Sequence, residues 1–224
     1  MRQWPNDATV AHLIFVDHQV VPTTDTIEAA IEHARRRGAR SIRTSALFPA
    51  SAEIMEAAGF RQIDQLALLR LALDHERVAH LGAARHRVRT MHPWMHGRAA
   101  AVDQAAFGLM WGNDAAGIRD VRRATPVHHA RLIKTGRNLA GFALSGAAAD
   151  SGYLQRIAVA PDQRRRGIAS DLVVDAVTWM YGQGRSRCLV NTGQGNHAAL
   201  ALYERLGFDR MADVLTIAEL RLNV

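Results

Sequence analysis

The sequence predicts an α/β protein with a mixed sheet, in which an N-terminal half-domain precedes a larger C-terminal domain. From Val88 onward the apolar patterns run strand, two helices, three strands, helix, strand, helix and strand. Such a mixture favours a mixed α/β sheet covered by helices. The chain has 224 residues, of which 48% are hydrophobic and 22% charged, so it can bury a core of ordinary size.

Helices and strands alternate in the N-terminal segment. The predicted elements are a strand at Ala11–Val16, a helix from Thr24 to Gly38, a strand at Ser41–Leu47, a helix from Ser51 to Gly59 and a strand at Arg61–Leu73. Thr24 and Ser51 are residue types that cap helix starts, and glycine suits the left-handed backbone after a helix end. We expect residues 1–76 to form the half-domain and residues 77–224 the main domain.

The main domain follows with its own pattern of turns and apolar stripes. Its predicted elements are a linker or helix at Asp74–Arg85, a strand at Val88–Met91, helices near Arg98–Leu109 and Ile118–Ala124, a hairpin of His128–Lys134 and Asn138–Ser145, a strand at Tyr153–Val159, a helix from Gly167 to Tyr181, a strand at Arg187–Val190, a helix at His197–Leu206 and a strand at Val214–Leu222. Thr135 and Gly136 supply the hairpin turn.

Composition narrows the classes of protein that the chain can represent. No apolar run reaches the roughly 20 residues of a membrane helix, and no secretory signal is expected at the N-terminus. Cys188 is the only cysteine, so an intramolecular disulfide is excluded and a cytoplasmic setting is expected. The net charge is +7, mostly from arginine, with Lys134 the only lysine. Because the arginines are scattered without interleaved aromatic residues, a nucleic-acid partner is not expected.

Two segments repeat one pattern of helix, glycine, strand, helix, Gly-Phe and strand. They are Ala29–Leu73 and Asp175–Leu222. Repeats of this length indicate copied structural units. The second copy has Tyr203 where the first has Met55, and only the second follows a basic loop. We therefore expect the N-terminal copy to support the sheet and to bind nothing.

A basic loop joins a strand to a helix between Ile157 and Ser170. The first amides of a helix have no acceptor within it and lie at the positive end of its dipole, so an anion binds there. Gly167 lets the backbone approach a bulky diphosphate, and Ala169 is small. Arg164, Arg165 and Arg166 add charge that pairs with phosphate oxygens. The alternative is a solvated basic helix start without a ligand.

A second motif lies between Asn191 and Phe208. The matching residues of the two segments together are Val159, Pro161, Arg164, Gly167 and Ala169, then Asn196, Ala199, Leu202, Tyr203, Gly207 and Phe208. In this order they resemble the GNAT superfamily of N-acetyltransferases, over about Val88 to Val224. The resemblance implies a fold in which two central parallel strands splay apart and hold acyl-CoA between them.

The resemblance also implies the residues that hold acyl-CoA. They are Ile157, Ala158, Val159, Arg164, Arg165, Arg166, Gly167, Ile168, Ala169, Ser170, Asn191, Asn196 and Tyr203. The backbone of Ile157 and Val159 would bind the pantetheine arm, and the basic loop the pyrophosphate. A strand amide near Ala158 would polarise the thioester carbonyl. No metal ligands are expected.

By the same resemblance, an amine attacks the thioester directly in a ternary complex, and Tyr203 is the expected general acid for the departing thiolate. The general base stays open among Asp150, His128, His129 and a water molecule. An acceptor pocket is expected from four side chains near the first two helices of the main domain. They are Trp94, His96, Trp111 and Asp114.

The expected function is transfer of acetyl from acetyl-CoA to a primary amine of a small molecule or peptide. A homodimer is compatible with the family. The alternative is a non-catalytic protein that uses the same fold to bind CoA or to act as a scaffold, because the strand before the loop offers Gln155 and Arg156 instead of a carboxylate.

Overall fold

A computed structural model describes residues 1–15 and 20–222 of the chain. Its strands are β1 (Arg2–Trp4), β2 (Asp7–Leu13), β3 (Ser41–Thr44), β4 (Arg61–Ala72), β5 (Arg89–Thr90), β6 (Val127–Thr135), β7 (Asn138–Ala148), β8 (Ser151–Val159), β9 (Arg187–Gly193) and β10 (Asp209–Arg221). Its α-helices are α1 (Thr24–Arg36), α2 (Pro49–Ala57), α3 (His75–His80), α4 (His96–Trp111), α5 (Ala115–Arg122), α6 (Ile168–Gly182) and α7 (His197–Arg205).

The sequence located most of these elements, and the mixed α/β fold is confirmed. Strand β1 was not predicted, because three residues carry too little periodicity. Ser51 was expected to cap α2, but this expectation was wrong. Phe48 holds the cap position and Pro49 begins the helix. Proline suits a first helical turn because the amide it lacks has no intrahelical acceptor there. Val16, the end of the first predicted strand, lies outside the described residues.

The chain folds into two compact units. The first contains the described residues of Met1–Leu68, Asn191–His197 and Met211–Val224, and the second contains Leu69–Val190 and Ala198–Arg210. In the first unit the strand order is β1-β2-β3-β10. Strand β2 runs parallel to β3, and the other two pairs are antiparallel. The buried side chains of this unit include Ile27, Ile42, Leu47, Met55 and Phe60.

The second unit has the strand order β9-β8-β7-β6-β5. Only the β8–β9 pair is parallel among these described strands, so the sheet is mixed. Phe142 of β7 belongs to the core that α4 and α5 share with the sheet. The neighbouring Gly141 faces Ile168 of α6 instead. Because successive strand residues point to opposite faces, helices cover both sides of this sheet.

The repeated pattern in the sequence corresponds to repeated backbone geometry. After α1, the amide of Gly38 donates to Arg35 and that of Ala39 to Ala34; after α6, Gly184 donates to Tyr181 and Arg185 to Met180 in the same way. The ends of α2 and α7 also match, since Phe60 donates to Met55 and Phe208 to Tyr203, each over 3.0 Å. The glycines that follow these four helices are left-handed, with φ between 71° and 89°; they are Gly38, Gly59, Gly184 and Gly207. Each copy thus ends both helices with the same left-handed cap.

One histidine of the first unit carries a strongly shifted pKa. His12 on β2 packs edge-on against Trp4, with ring centroids 4.8 Å apart. Burial lowers the pKa of His12 from 6.5 to about 4, and the charges of Arg2, the N-terminal amine and Arg43 act in the same direction. The folded state therefore holds this imidazole neutral.

We predict that His12 makes this protein less stable in mild acid. As pH falls from 6.5 towards 4, the unfolded imidazole binds a proton that the folded one does not, so the free energy of unfolding drops. Between pH 7 and pH 5 the native chain is expected to lose about 2 kcal/mol more than His12→Gln. Urea denaturation at both pH values measures this difference. The exposed His33→Gln serves as the control, and an unchanged pH dependence in His12→Gln would contradict the prediction.

Candidate active site

Strands β8 and β9 stay paired over only a short length. Three residue pairs join them, Ser151–Tyr153 against Arg187–Leu189. Strand β8 continues to Val159 and remains paired with β7 on its other side. The register of β7 and β8 shifts at Gln155, an extra residue that forms a bulge and bends the strand. In the described residues, β8 therefore has an open edge after Tyr153, as expected for splayed central strands.

The direction of each β8 amide follows from its pairing with β7. The amide of Ala160 donates to Ala140 over 2.9 Å, and Ala158 stands opposite Phe142. Hydrogen-bonding direction alternates along an antiparallel strand, so Ala158 also faces β7, whereas Ile157 and Val159 face the open edge. The amide near Ala158 that is available to a ligand is therefore that of Ile157 or Val159.

The basic loop before α6 carries a row of unsatisfied backbone donors. Gly167 occupies the N-cap position with φ of 81°, and Arg165 has φ of 64°. The amide of Asp171 makes the first bond of the helix, to Gly167. None of the amides of residues 165–170 donates to a backbone carbonyl within the described ranges. Left-handed residues such as Arg165 and Gly167 turn neighbouring amides towards one side, and such a concave nest binds anions.

Two of the three loop arginines make contacts within their own unit. Arg164 donates through Nη2 to the carbonyl of Ala106 over 3.2 Å, and Arg166 donates to Gln163 Oε1 over 3.4 Å. All three arginine side chains are exposed. The loop therefore combines directed amides with cationic groups that remain accessible to a ligand.

Tyr203 lies on α7 and is almost fully buried. Its ring packs against Phe208, with centroids 5.4 Å apart. Burial raises the pKa of Tyr203 far above its usual value, and the nearby Cys188 adds to the shift. The phenol therefore keeps its proton throughout the neutral and mildly alkaline range. Cys188 itself is fully buried, and burial raises the pKa of its thiol to about 12.

Asn191 and Asn196 belong to the first unit and are both exposed. The side chain of Asn196 donates to Thr192 Oγ1 over 3.2 Å, and its amide donates to the carbonyl of Gly193 over 2.9 Å. These bonds fix the turn that leads into α7. Their roles towards acyl-CoA stay predictions.

A buried ion pair that the sequence did not reveal lies beside the open strand. Arg156 of β8 holds both oxygens of Asp103 of α4, over 2.7 Å each. The same guanidinium donates to the carbonyl of Trp111 over 2.7 Å and lies 3.9 Å from the centre of the Phe107 ring. Asp103 is fully buried and also accepts from the amide of Asn113 over 2.6 Å. The pair thus ties β8 to the end of α4.

The structure separates the four residues expected to line one acceptor pocket. Trp94 and His96 lie at the start of α4, whereas Trp111 and Asp114 follow its other end. The part of α4 before the bend at Gly108 alone spans about 18 Å, so these side chains do not line one pocket. Asp114 instead caps α5 by accepting from the amide of Gly117 over 2.7 Å. The end of α4 bends at Gly108 and exposes Leu109 and Met110.

The candidate bases differ in their surroundings. His129 bonds to Asp175 over 2.8 Å and stacks on Trp179, so its ring is held against α6. Asp150 is exposed and its pKa is lowered by the Ser151 hydroxyl and by Arg187. His128 is exposed on β6, two strands from β8. None of these contacts selects one base. Among the described residues, no group of three or more side chains is arranged to hold a metal ion.

The open edge of β8 leads to the start of α6, where backbone amides and arginines face solvent. This α/β protein is therefore suited to an extended ligand with an anionic end. Residues 85–208, more than half of the chain, match the Acetyltransferase (GNAT) family, and the chain belongs to that family. None of the described helices has the length and apolar character to cross a bilayer.

Two acetyltransferases are similar in sequence to parts of the chain. The [Ribosomal protein bS18]-alanine N-acetyltransferase of Escherichia coli is 33% identical over 79 residues, 35% of this chain and 53% of that protein. The N-alpha-acetyltransferase MAK3 of Arabidopsis thaliana is 42% identical over 59 residues, 26% of this chain and 31% of that protein. The chain therefore spans about half the length of these relatives, or less.

Solved structures share the fold over a longer stretch. A tandem GNAT protein from the clavulanic acid biosynthesis pathway superposes with a TM-score of 0.65 at 13% identity, over 89% of this chain and 70% of that one. At this identity the likeness shows the fold alone.

We predict that Asp103→Asn destabilises the protein by about 3 kcal/mol, because removal of one partner leaves the buried charge of the other without compensation. Urea denaturation measures the loss. Glu32→Gln is the matched control, since Glu32 pairs with two exposed arginines on α1 and such pairs contribute less than about 1 kcal/mol. Equal losses in the two variants would show that the Arg156–Asp103 pair has no special role in stability.

Proposed function

We propose that this protein transfers an acetyl group from acetyl-CoA to a primary amine. The observation that carries the proposal is the row of amides at residues 165–170, unsatisfied within the described structure and surrounded by Arg164, Arg165 and Arg166. A diphosphate matches these donors, and an extended pantetheine arm matches the edge of β8 at Ile157 and Val159.

The proposed reaction is direct attack by the amine nitrogen on the thioester carbonyl carbon. A C–N bond forms, the C–S bond breaks, and negative charge develops first on the carbonyl oxygen and then on sulfur. The amide of Ile157 or Val159 on the open edge donates a hydrogen bond to that oxygen. The amine loses its extra proton to a base that stays open among the candidates above. Orientation of the two substrates supplies much of the rate.

Tyr203 is the proposed donor of a proton to the departing sulfur. Its raised pKa keeps the proton on the phenol at the pH of the reaction, although it lowers the driving force for releasing it. A hydrogen bond from the phenol to the developing thiolate is therefore its first contribution. Transfer of that proton to sulfur leaves a tyrosinate, which regains a proton from solvent.

The proposed acceptor is the α-amine of a peptide. A small-molecule amine, which the sequence also indicated, is the alternative acceptor. The names of the two relatives specify acetylation of an alanine of a ribosomal protein and N-alpha-acetylation. Leu109 and Met110 are exposed at the bend of α4, and this apolar surface favours a peptide over a strongly polar small amine.

A non-catalytic CoA-binding protein is the second candidate function. The observation that favours it is Arg156, which stands on β8 without a neighbouring strand carboxylate and whose Nε and Nη2 groups bond to Asp103 and Trp111. Both candidates bind acetyl-CoA, but only the enzyme releases free CoA thiol when a peptide amine is supplied.

We further propose that residues 1–76 are a partial copy of the last elements of the main domain and bind no CoA. The matching helix caps support common descent of the two segments. Met55, fully buried, takes the place of Tyr203, and no basic loop precedes α1.

We predict that Gly167→Glu abolishes acetyl-CoA binding. The new carboxylate repels the diphosphate, and the side chain occupies the space above the amides. Gly184→Glu is the matched control, because Gly184 has φ of 71° against 81° for Gly167 and neither position has an atom within 4 Å of an added Cβ. Acetyl-CoA should raise the melting temperature of the control and of the native chain only. Tight binding by Gly167→Glu would refute the proposed donor site.

We predict that Tyr203→Phe lowers kcat by about 100-fold and leaves KM for acetyl-CoA nearly unchanged. The phenylalanine ring preserves the packing on Phe208, so folding should survive. Because burial raises the phenol pKa, the loss should be the same at pH 7 and pH 9. Thiol release with a peptide acceptor measures the rates, and Tyr181→Phe on α6 is the control. Full activity in Tyr203→Phe would show that the acid assignment is wrong.

A further inference from the structure

A cleft of about 480 Å³ lies in the second unit between β5, β6 and the turn before α4. Its lining includes Arg87, Arg89, Arg131 and Lys134, together with His92 and Trp94. No lining residue carries a carboxylate, and no residue of the loop at 164–170 takes part. The cleft is therefore a second basic site, separate from the proposed donor loop.

Most of the positive charge in this cleft is uncompensated. Arg87, Arg89 and Lys134 are exposed and form no ion pair with any described residue. Arg131 differs, because it bonds to Asp175 over 3.2 Å and to Thr90 over 3.0 Å. Three free cations around one concave surface attract a ligand with several negative charges.

An aromatic platform stands at the edge of the cleft. Trp94 stacks on His92 with ring centroids 4.3 Å apart and planes 7° from parallel. The indole is nevertheless 76% exposed, so one of its faces is covered and the other is open to solvent. The open face of the indole is a surface on which a flat, aromatic partner can stack.

The cations follow the direction of the neighbouring strands. Arg89 stands opposite Leu132 in the β5–β6 register, and Lys134 follows two residues further along β6. Residues two apart on an extended chain are separated by about 6.6 Å. Arg87 and Arg89, two residues apart, thus place two charges along the cleft, with Lys134 on the neighbouring strand. Cations arranged in this way fit the repeated charges of a phosphodiester backbone.

We propose that this cleft binds a single-stranded nucleic acid segment, with phosphates on Arg87, Arg89 and Lys134 and a base stacked on the open face of Trp94. A cationic groove beside a stacking aromatic side chain is the combination that binds single strands without sequence preference. An acidic peptide would satisfy the cations but leave the indole uncovered. The linear sequence did not indicate this site, because Lys134 and Trp94 are 40 residues apart and only the fold brings them together.

The test uses fluorescein-labelled twelve-residue oligouridylate and oligothymidylate, which distinguish RNA from DNA, with uridine monophosphate as competitor. Fluorescence anisotropy of the full chain should show binding that weakens with salt. The variant Arg87→Gln/Arg89→Gln should bind about tenfold more weakly and reduce the slope of log K against log salt by about 1.4. Arg35→Gln/Arg36→Gln on α1 removes the same charge and should bind as the native chain does.

Trp94 provides an independent arm of the test. Trp94→Ala should bind about tenfold more weakly, and Trp94→Phe should keep most of the affinity, because base stacking needs only an aromatic face. Saturating CoA should not displace the oligonucleotide. The proposal is overturned if CoA displaces it, if both double arginine variants lose affinity equally, or if Trp94→Ala binds as tightly as Trp94→Phe. Failure here leaves acetyl transfer untouched, because thiol release is measured without oligonucleotide.

Discussion

The site depends on backbone hydrogen-bonding groups that the sheet leaves unpaired. Strand β8 loses its parallel neighbour after Tyr153 but stays bonded to β7 as far as Val159. A strand held on one side only presents a fixed row of donors and acceptors on the other. The amides of residues 165–170 continue that row into the start of α6. Since backbone groups cannot change rotamer, the donor site proposed here is preorganised by the fold itself.

The open strand needs support from the helix side. Arg156 supplies it by joining β8 to the fully buried Asp103 and to the carbonyl of Trp111. Burying two charges is costly unless every donor finds an acceptor, and here the planar guanidinium meets both carboxylate oxygens. The cluster fixes the distance between β8 and the bend at Gly108. One ion pair therefore positions both the strand edge and the apolar loop proposed for the acceptor.

The sequence predicted the helix ends at Gly38 and Gly59, the basic loop and the pairing of β6 with β7, because these depend on local periodicity and on glycine. It did not predict that Arg156 meets Asp103, since 53 residues separate them and neither has a distinctive neighbour in the chain. A lone aspartate among the alanines of α4 was the available signal. The grouping of Trp94 with Trp111 was wrong because the two residues lie at opposite ends of α4, a separation that the predicted helix near Arg98–Leu109 already implied. The bulge at Gln155 is defined by how β8 pairs with β7, and the sequence of one strand does not determine its register with another.

Cys188 has a consequence for the redox chemistry of such an enzyme. Every turnover of the proposed reaction releases a free thiol, and oxidation of that thiol yields CoA disulfides in the same solution. Exchange with a disulfide requires an accessible thiolate. The only sulfhydryl in the chain is buried and its pKa is raised to about 12, so it is neither accessible nor ionised. The protein therefore resists covalent capture by the oxidised form of its own product, and its catalytic cycle is insulated from the thiol balance around it.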